Sequence, residues 1–175
     1  YAMGWANVSN TPFRGFKRQA YEGGIATPMV VHWPAVIQQG GGINREPGHI
    51  IDLMATCLDA AGVQYPKECR GRMIGPTSGQ SLLPILRGQS WQGHDSLFWE
   101  HEGNRAVRSG RWKLVAVEGG AWELYDLQTD GTESNNLSSR QPKRVELLKS
   151  QYEAWARRCG VVPWAQLPQK KPHDQ

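Results

Sequence analysis

Cysteine is scarce. Cys57, Cys69 and Cys159 are the only three in 175 residues, and no pair has the CxxC spacing of a zinc or redox motif. A Cys69–Cys159 disulfide stays open on the sequence. No apolar run approaches the roughly 18 residues that a membrane-spanning helix needs, so no membrane span is expected. The opening Tyr1-Ala2-Met3-Gly4-Trp5 lacks a charged stretch followed by an apolar one, so no signal peptide is visible. Concentrated positive charge is missing too. The formal net charge is +4, but Lys and Arg are spread along the chain apart from short groups such as Arg157-Arg158 and Lys170-Lys171. Without a basic stripe interleaved with aromatics, nucleic acid is not expected as a partner. The basic balance remains compatible with a sulfated or phosphorylated substrate.

What the sequence does have is enough apolar material for a core, 39% of residues with 8 Trp, in a chain punctuated by 20 Gly and 11 Pro. Residues 1–24 are polar and Gly-rich and read as a surface loop. The run Ala26–Trp33, ended by Pro34, is apolar on both faces, as in a strand buried in a sheet covered on both sides. His32 within it is expected to be buried and hydrogen-bonded. After Gly40-Gly41-Gly42, the residues Ile50, Leu53, Met54, Cys57, Leu58 and Ala61 recur at spacings of three and four, and Gly62 supplies a stop. This predicts a helix with Cys57 in the core. Strand followed by helix is an α/β signature, and one such unit cannot bury both faces of its strand. The first half therefore reads as part of a larger sheet.

Residues 64–80 look irregular, and Ser81–Gly88 reads as a short helical turn closed by Gly. Four short strands are then predicted, at 97–100, 105–108, 111–117 and 122–127, with Gly103, Ser109-Gly110 and Gly119-Gly120 as turns. Trp112, Leu114 and Ala116 share one face and Lys113 takes the other. A helix over 142–159, with Pro142 in its first turn, carries Val145, Leu148, Tyr152, Trp155 and Cys159 on one stripe that suits a cover for the antiparallel meander.

Three segments, in this order, resemble the C-terminal third of the sulfatase family. Pro12–Pro28 resembles the family's loop of a Lys followed by an aromatic-Glu-Gly-Gly and a Pro, here Lys17, Tyr21-Glu22-Gly23-Gly24 and Pro28. His49–Thr56 with Leu58 and Ala61-Gly62 resembles the Asp-Leu-x-Pro-Thr helix, with Ala55 in place of the usual Pro. Ala106–Leu114, Glu123–Leu127 and Asn136-Leu137 resemble the small C-terminal sheet and the loop to the last helix. The resemblance covers about residues 12–160.

The resemblance implies the C-terminal part of an alkaline-phosphatase-like α/β fold. Residues 1–92 would complete the large catalytic domain, 93–165 would form a four-stranded antiparallel sheet packed by a C-terminal helix, and 166–175 would be a polar tail. It also implies hydrolysis of sulfate esters by a formylglycine and a calcium ion. None of Cys57, Cys69 and Cys159 begins the family's Cys/Ser-x-Pro-x-Arg motif, and the metal-binding Asp-Asn pair would lie upstream of residue 1. The chain alone is therefore expected to be inactive, with no metal or cofactor bound to it and with the remaining N-terminal part of the catalytic domain as its partner.

By its spacing alone Lys17 reads as a solvated loop lysine beside Arg14 and Arg18. The register with Tyr21-Glu22-Gly23-Gly24 makes it, by resemblance, the lysine that contacts the sulfate group. His101, Asn104 and Arg105 lie in a polar turn between strands that in sulfatases reaches the active-site mouth. The resemblance implies substrate contacts there, and an exposed hairpin tip is the alternative. His101 with Glu100 and Glu102 lacks further metal ligands nearby. His49 either faces the site or begins its helix. Glu22 is expected to shape its loop rather than catalyse, Gly23 and Gly24 to serve backbone geometry, and the tryptophans to pack.

The substrate is read as an aryl sulfate or a sulfated glycan. A periplasmic or extracellular location follows from the family, with Asn7-Val8-Ser9 and Asn136-Leu137-Ser138 as sequons. Two rivals share these features. One is a phosphodiesterase or phosphonate hydrolase of the same superfamily, and the other is a non-catalytic module binding sulfated glycans through Arg14, Lys17, Arg18 and Arg105.

Overall fold

The computed structural model describes residues 2–168, so most of the expected polar tail lies outside the described residues. The elements run α1 (Met3–Val8), α2 (Glu22–Ile25), α3 (Ile51–Ala60), the short strands β1 (Glu68–Cys69) and β2 (Arg72–Met73), and α4 (Leu83–Leu86). There follow β3 (Leu97–His101), β4 (Asn104–Ser109), β5 (Trp112–Ala116), β6 (Glu123–Asp126) and α5 (Pro142–Cys159), then a 3-10 turn at Trp164–Gln166. Two compact units result. Met29–His94 forms one, and the two flanking stretches of described chain together form the other, the sheet unit.

In the sheet unit the strands lie in the order β3-β4-β5-β6, each antiparallel to the next, as the closely spaced turns predict. Gly103 turns the first hairpin at φ 80°, a conformation that a Cβ would oppose. The register sets Val107 opposite Leu114 and Leu114 opposite Leu124. Side chains alternate between faces, so these residues share one face, where they pack with Leu148 and Tyr152 of α5. Phe98 stacks on Trp155 with centroids 5.2 Å apart, and Trp122 meets Tyr152 edge-on at 5.4 Å. Fully burying a large apolar side chain contributes about 1.5–3 kcal/mol, so this face alone accounts for much of the unit's stability. Pro142 stands in the first turn of α5, and Gly160, at φ 67°, ends it in the left-handed region. Cys159, expected on the buried stripe, is exposed, because the last residue of α5 lies beyond the covering contact.

The opposite face is covered too, which the reading of residues 1–24 as a surface loop did not anticipate. Ala20 and Tyr21 form a core with Ala106, Val115 and Tyr125, and Glu22 and Gly23 are buried beside them. The physical cause is that β4, β5 and β6 carry apolar residues on both faces, and α5 can cover one of them. The earlier part of the same stretch is α1, not loop.

In the Met29–His94 unit α3 and α4 form close to where the periodicity places them, but the helix is inverted relative to expectation. Asp52 is fully buried, while Ile50 is 72% and Met54 52% exposed. The Asp52 carboxylate accepts the backbone N–H of His49 at 2.7 Å and of Gln80 at 2.8 Å and meets His94 Nε2 at 2.7 Å. His49 thus begins the helix, and burial lowers its pKa. Thr56 Oγ1 accepts Leu82 N–H at 2.9 Å, so the polar side of α3 faces the 79–82 segment. Cys57, expected in the core, is exposed on the other side.

The strand expected over Ala26–Trp33 is not formed. Its residues have no ladder, and Val30 is 92% exposed. A strand requires neighbours for its backbone groups, and none of the described residues pairs with this run. For the same reason His32 is exposed rather than buried.

Candidate functional site

The segment from Arg14 to Ile25 holds Lys17, and the rest of the sheet unit ties it down at both ends. At its start the Arg14 guanidinium donates to Tyr125 Oη at 2.8 Å, to Glu123 Oε2 at 3.2 Å and to the Glu133 carbonyl at 3.3 Å, and lies over the Tyr21 ring at 4.1 Å. Burial works against the charge of Arg14, but Tyr21, Tyr125 and Glu123 outweigh it and raise the pKa. Tyr21 and Tyr125 both donate their hydroxyls to Glu123 Oε2, at 2.8 and 2.6 Å. Burial first, then those bonds, pushes both phenols well above their ordinary value, so they remain neutral donors.

At its end the Gly23 N–H donates back to the Arg14 carbonyl at 2.8 Å, closing the segment into a loop. A Cβ at Gly23 would collide with the carbonyls of Arg14 and Gly15, and one at Gly24 with those of Phe16 and Gln19. The Gly-Gly pair is thus required by close backbone approach. Between these anchors Gln19 N–H donates to Phe16 O at 3.1 Å, and Arg18 has φ 85°. A positive φ at the third position is the mark of a type II turn, and Lys17 stands at its second position with an exposed side chain.

Beneath the loop lies a buried ionic cluster. Lys113 Nζ, on β5, reaches Glu22 Oε1 at 2.7 Å and Glu133 Oε1 at 2.8 Å. The Glu133 oxygen is held by charge rather than by an aligned hydrogen bond. Its other oxygen accepts the Glu22 N–H at 2.7 Å. Burial raises the Glu133 pKa, and Lys113 opposes the rise. Glu22 shapes its loop, in keeping with its expected role.

On the same side of the sheet a concavity of about 150 Å³ opens between the loop and the β3–β4 hairpin, with Arg18, Gln19, Trp99, Glu100, His101 and Asn104 on its walls. Arg18 bridges it by pairing with Glu102, Nε to Oε2 at 2.6 Å. Asn104 Nδ2 donates to the His101 carbonyl at 3.1 Å, and Glu100 accepts Gly103 N–H at 2.9 Å and the Tyr152 hydroxyl at 2.8 Å, which fixes the hairpin tip.

Of the residues singled out from sequence, His101 and Asn104 meet in this concavity and Lys17 projects from the turn next to Arg18. Arg105 does not line it. It shares the α5-facing side with Val107, its guanidinium lies 4.6 Å over Trp122, and its Nε is buried without a hydrogen-bond partner. Sequence reasoning missed Arg18 as a wall of the concavity, and it missed the Lys113–Glu22–Glu133 cluster. The available signal for the cluster was a single Lys inside Trp112–Ala116, a strand otherwise apolar on both faces. Among the described residues no group of three or more His, Cys, Asp or Glu could hold a metal ion.

Comparison with known proteins gives this geometry its family. The model for N-sulphoglucosamine sulphohydrolase, C-terminal, matches residues 14–155. The chain belongs to the sulfatase family. An uncharacterized sulfatase of Schizosaccharomyces pombe is 31% identical over 178 residues, which is 93% of this chain and 30% of that protein. Human steryl-sulfatase is 36% identical over 191 residues, covering 89% of this chain and 31% of its own length. A solved Bacteroides thetaiotaomicron protein from a core genetic locus for glycosaminoglycan metabolism superposes with a TM-score of 0.64 at 22% identity, over 83% of this chain and 32% of that one. That likeness shows the fold, the C-terminal part of the sulfatase architecture. The chain spans about a third of the length of the sulfatases it matches. Among the described residues no helix is long and apolar enough to cross a membrane.

Proposed function

We propose that this chain supplies the sulfate-contacting lysine and one wall of the substrate pocket of a sulfatase acting on aryl or carbohydrate sulfates. The observation that carries the reading is the loop itself. Arg14 and Glu22 anchor its two ends in the sheet unit, yet Lys17 between them is left exposed. An ammonium carried on a backbone anchored in that way can meet a sulfate ester and stabilise the charge that builds on the leaving oxygen. His101 and Asn104 contact the rest of the substrate from the concavity. Arg105 supports the hairpin from the α5 side, opposite Glu100 in the β3–β4 pairing.

A calcium ion and a formylglycine belong to the whole enzyme in this reading. None of Cys57, Cys69 and Cys159 begins the formylglycine motif, so the reading assigns both to chain outside this one and expects no turnover by this chain alone. The partner is the remaining N-terminal part of the catalytic domain, which residues 1–92 complete. Supporting this, the Met29–His94 unit exposes Met29, Val30, Leu53 and Met54 and holds an apolar groove of about 190 Å³ between Val31, Trp33 and Cys57. Apolar surface of that kind marks an interface. The location proposed is periplasmic or extracellular.

The test is release of sulfate from a chromogenic aryl sulfate, with calcium, by the full-length enzyme, by its Lys17→Ala variant and by this chain alone. The expected result is turnover by the intact enzyme only, with Lys17→Ala lowering the rate by about two orders of magnitude. Full activity in Lys17→Ala, or turnover by the isolated chain, overturns the reading.

A further inference from the structure

Lys113 sits in the middle of β5, fully buried, between the sheet and the loop that carries Lys17. Lysine is seldom placed there, because an ammonium leaves water only at a cost that partners must offset. Here the partners come from two different segments. Glu22 opens α2 at the end of the Lys17 loop, and Glu133 stands in the turn after β6. Glu22 is gripped twice, its carboxylate by Lys113 at 2.7 Å and its N–H by Glu133 at 2.7 Å. Glu133 is itself held at φ 56°, a strained conformation for a residue with a side chain, and its carbonyl receives Arg14. Both ends of the Lys17 loop therefore converge on the residue that Lys113 neutralises.

We infer that Lys113 is a positioning residue for Lys17: by bridging Glu22 and Glu133 it fixes the foot of the loop, so the backbone from which Lys17 projects is held in one place. This rests on the proposed role of Lys17. A side chain that merely filled space could not do the same. Methionine matches the volume but leaves two carboxylates facing each other, and the fork of arginine is too wide for a fully buried slot.

The experiment uses the full-length enzyme in a cycle of Lys17→Ala, Lys113→Met and the two together, with kcat and KM on a chromogenic aryl sulfate and hydrogen exchange over residues 14–25. Since Lys113→Met alone can destabilise the fold, a second background, Glu22→Gln/Lys113→Met/Glu133→Leu, removes all three charges and restores a neutral core. The expected result is that this background melts near the parent temperature yet loses kcat by about tenfold or more, with faster exchange in 14–25, and that adding Lys17→Ala to it brings the rate down to that of Lys17→Ala alone and no lower. Independent action, in which the two losses multiply, overturns the inference while leaving Lys17 as the sulfate contact. A fully active triple variant with unchanged exchange also overturns it. A Lys17→Ala enzyme that keeps full activity instead removes the reading of Lys17, and the inference with it.

Discussion

Replacing Lys113 by methionine tests whether the cluster beneath the loop is a buried ion group. Its side chain has no exposed surface, and the Glu22 and Glu133 carboxylates lie 2.7 and 2.8 Å from its nitrogen. Removing one member of such a group strands the opposite charge in a poorly solvated place, at a cost of about 3–5 kcal/mol. For a chain of this size that is a fall in melting temperature of roughly 6–20 °C. The loss should depend on pH. Glu133 is faced by Lys113 and Glu22, with Arg14 on its carbonyl, and burial holds its carboxyl above the ordinary 4.5. Between 4.5 and that raised value the folded chain binds more protons than the unfolded one, so this group's contribution to stability falls as pH rises through the interval. Without Lys113 the opposing attraction is gone and the interval extends upward. The deficit of Lys113→Met against the parent should therefore shrink on acidification from about pH 7 to about pH 5, as a carboxyl takes up the proton that replaces the lost charge. Thermal melts of both proteins across that range, followed by tryptophan fluorescence, measure it. A deficit below about 1 kcal/mol, or one that is flat with pH, would show that water reaches the cluster and that the argument from burial is wrong.

Two further outcomes follow from the packing. Leu148→Ala opens a cavity between α5 and the strands at a side chain that is 3% exposed, and should cost about 2–5 kcal/mol in a denaturant titration with an unchanged m-value. Asp52→Ala strands the N–H groups of His49 and Gln80, at about 1–3 kcal/mol each, and should speed hydrogen exchange of the 79–82 segment while leaving β3 to β6 protected.

The sheet, α5 and α3 were legible because each carries local punctuation. Pro142 and the glycine after Cys159 bracket a helix whose buried residues recur every three or four, and Gly103 and Gly110 leave the meander little freedom. Where the sequence misled, the missing information was non-local. Ala26–Trp33 has a strand's composition, but pairing is supplied by other segments, and without it Val30 and His32 stand in solvent. Periodicity along α3 showed an apolar stripe, yet not that Asp52, with Gln80 and His94 as distant partners beside its neighbour His49, would take the inward side. The sequence grouped His101, Asn104 and Arg105 by adjacency, and the structure sets the first two on one concavity and Arg105 apart from it. Alternation along β4 sends it to the other face.

The same alternation explains why a stretch that reads as a polar surface loop is part of the core. Trp112–Ala116 is apolar on both faces except for Lys113, so the sheet needs two covers, and α5 packs on one of its faces. The second cover has to be the stretch around Tyr21, the stretch that also carries Lys17 and Arg18. Ala20 and Tyr21 give it apolar contact, and Glu22 gives Lys113 the counter-charge without which that strand position could not be buried. Stability and the proposed sulfate contact are thereby set by one packing event. A substitution on β5 far from any substrate should reach Lys17, while a substitution on the exposed face of α5 should not. That asymmetry follows from the layer order of sheet, buried ion cluster and loop, and it would be absent if the loop simply rested on the surface.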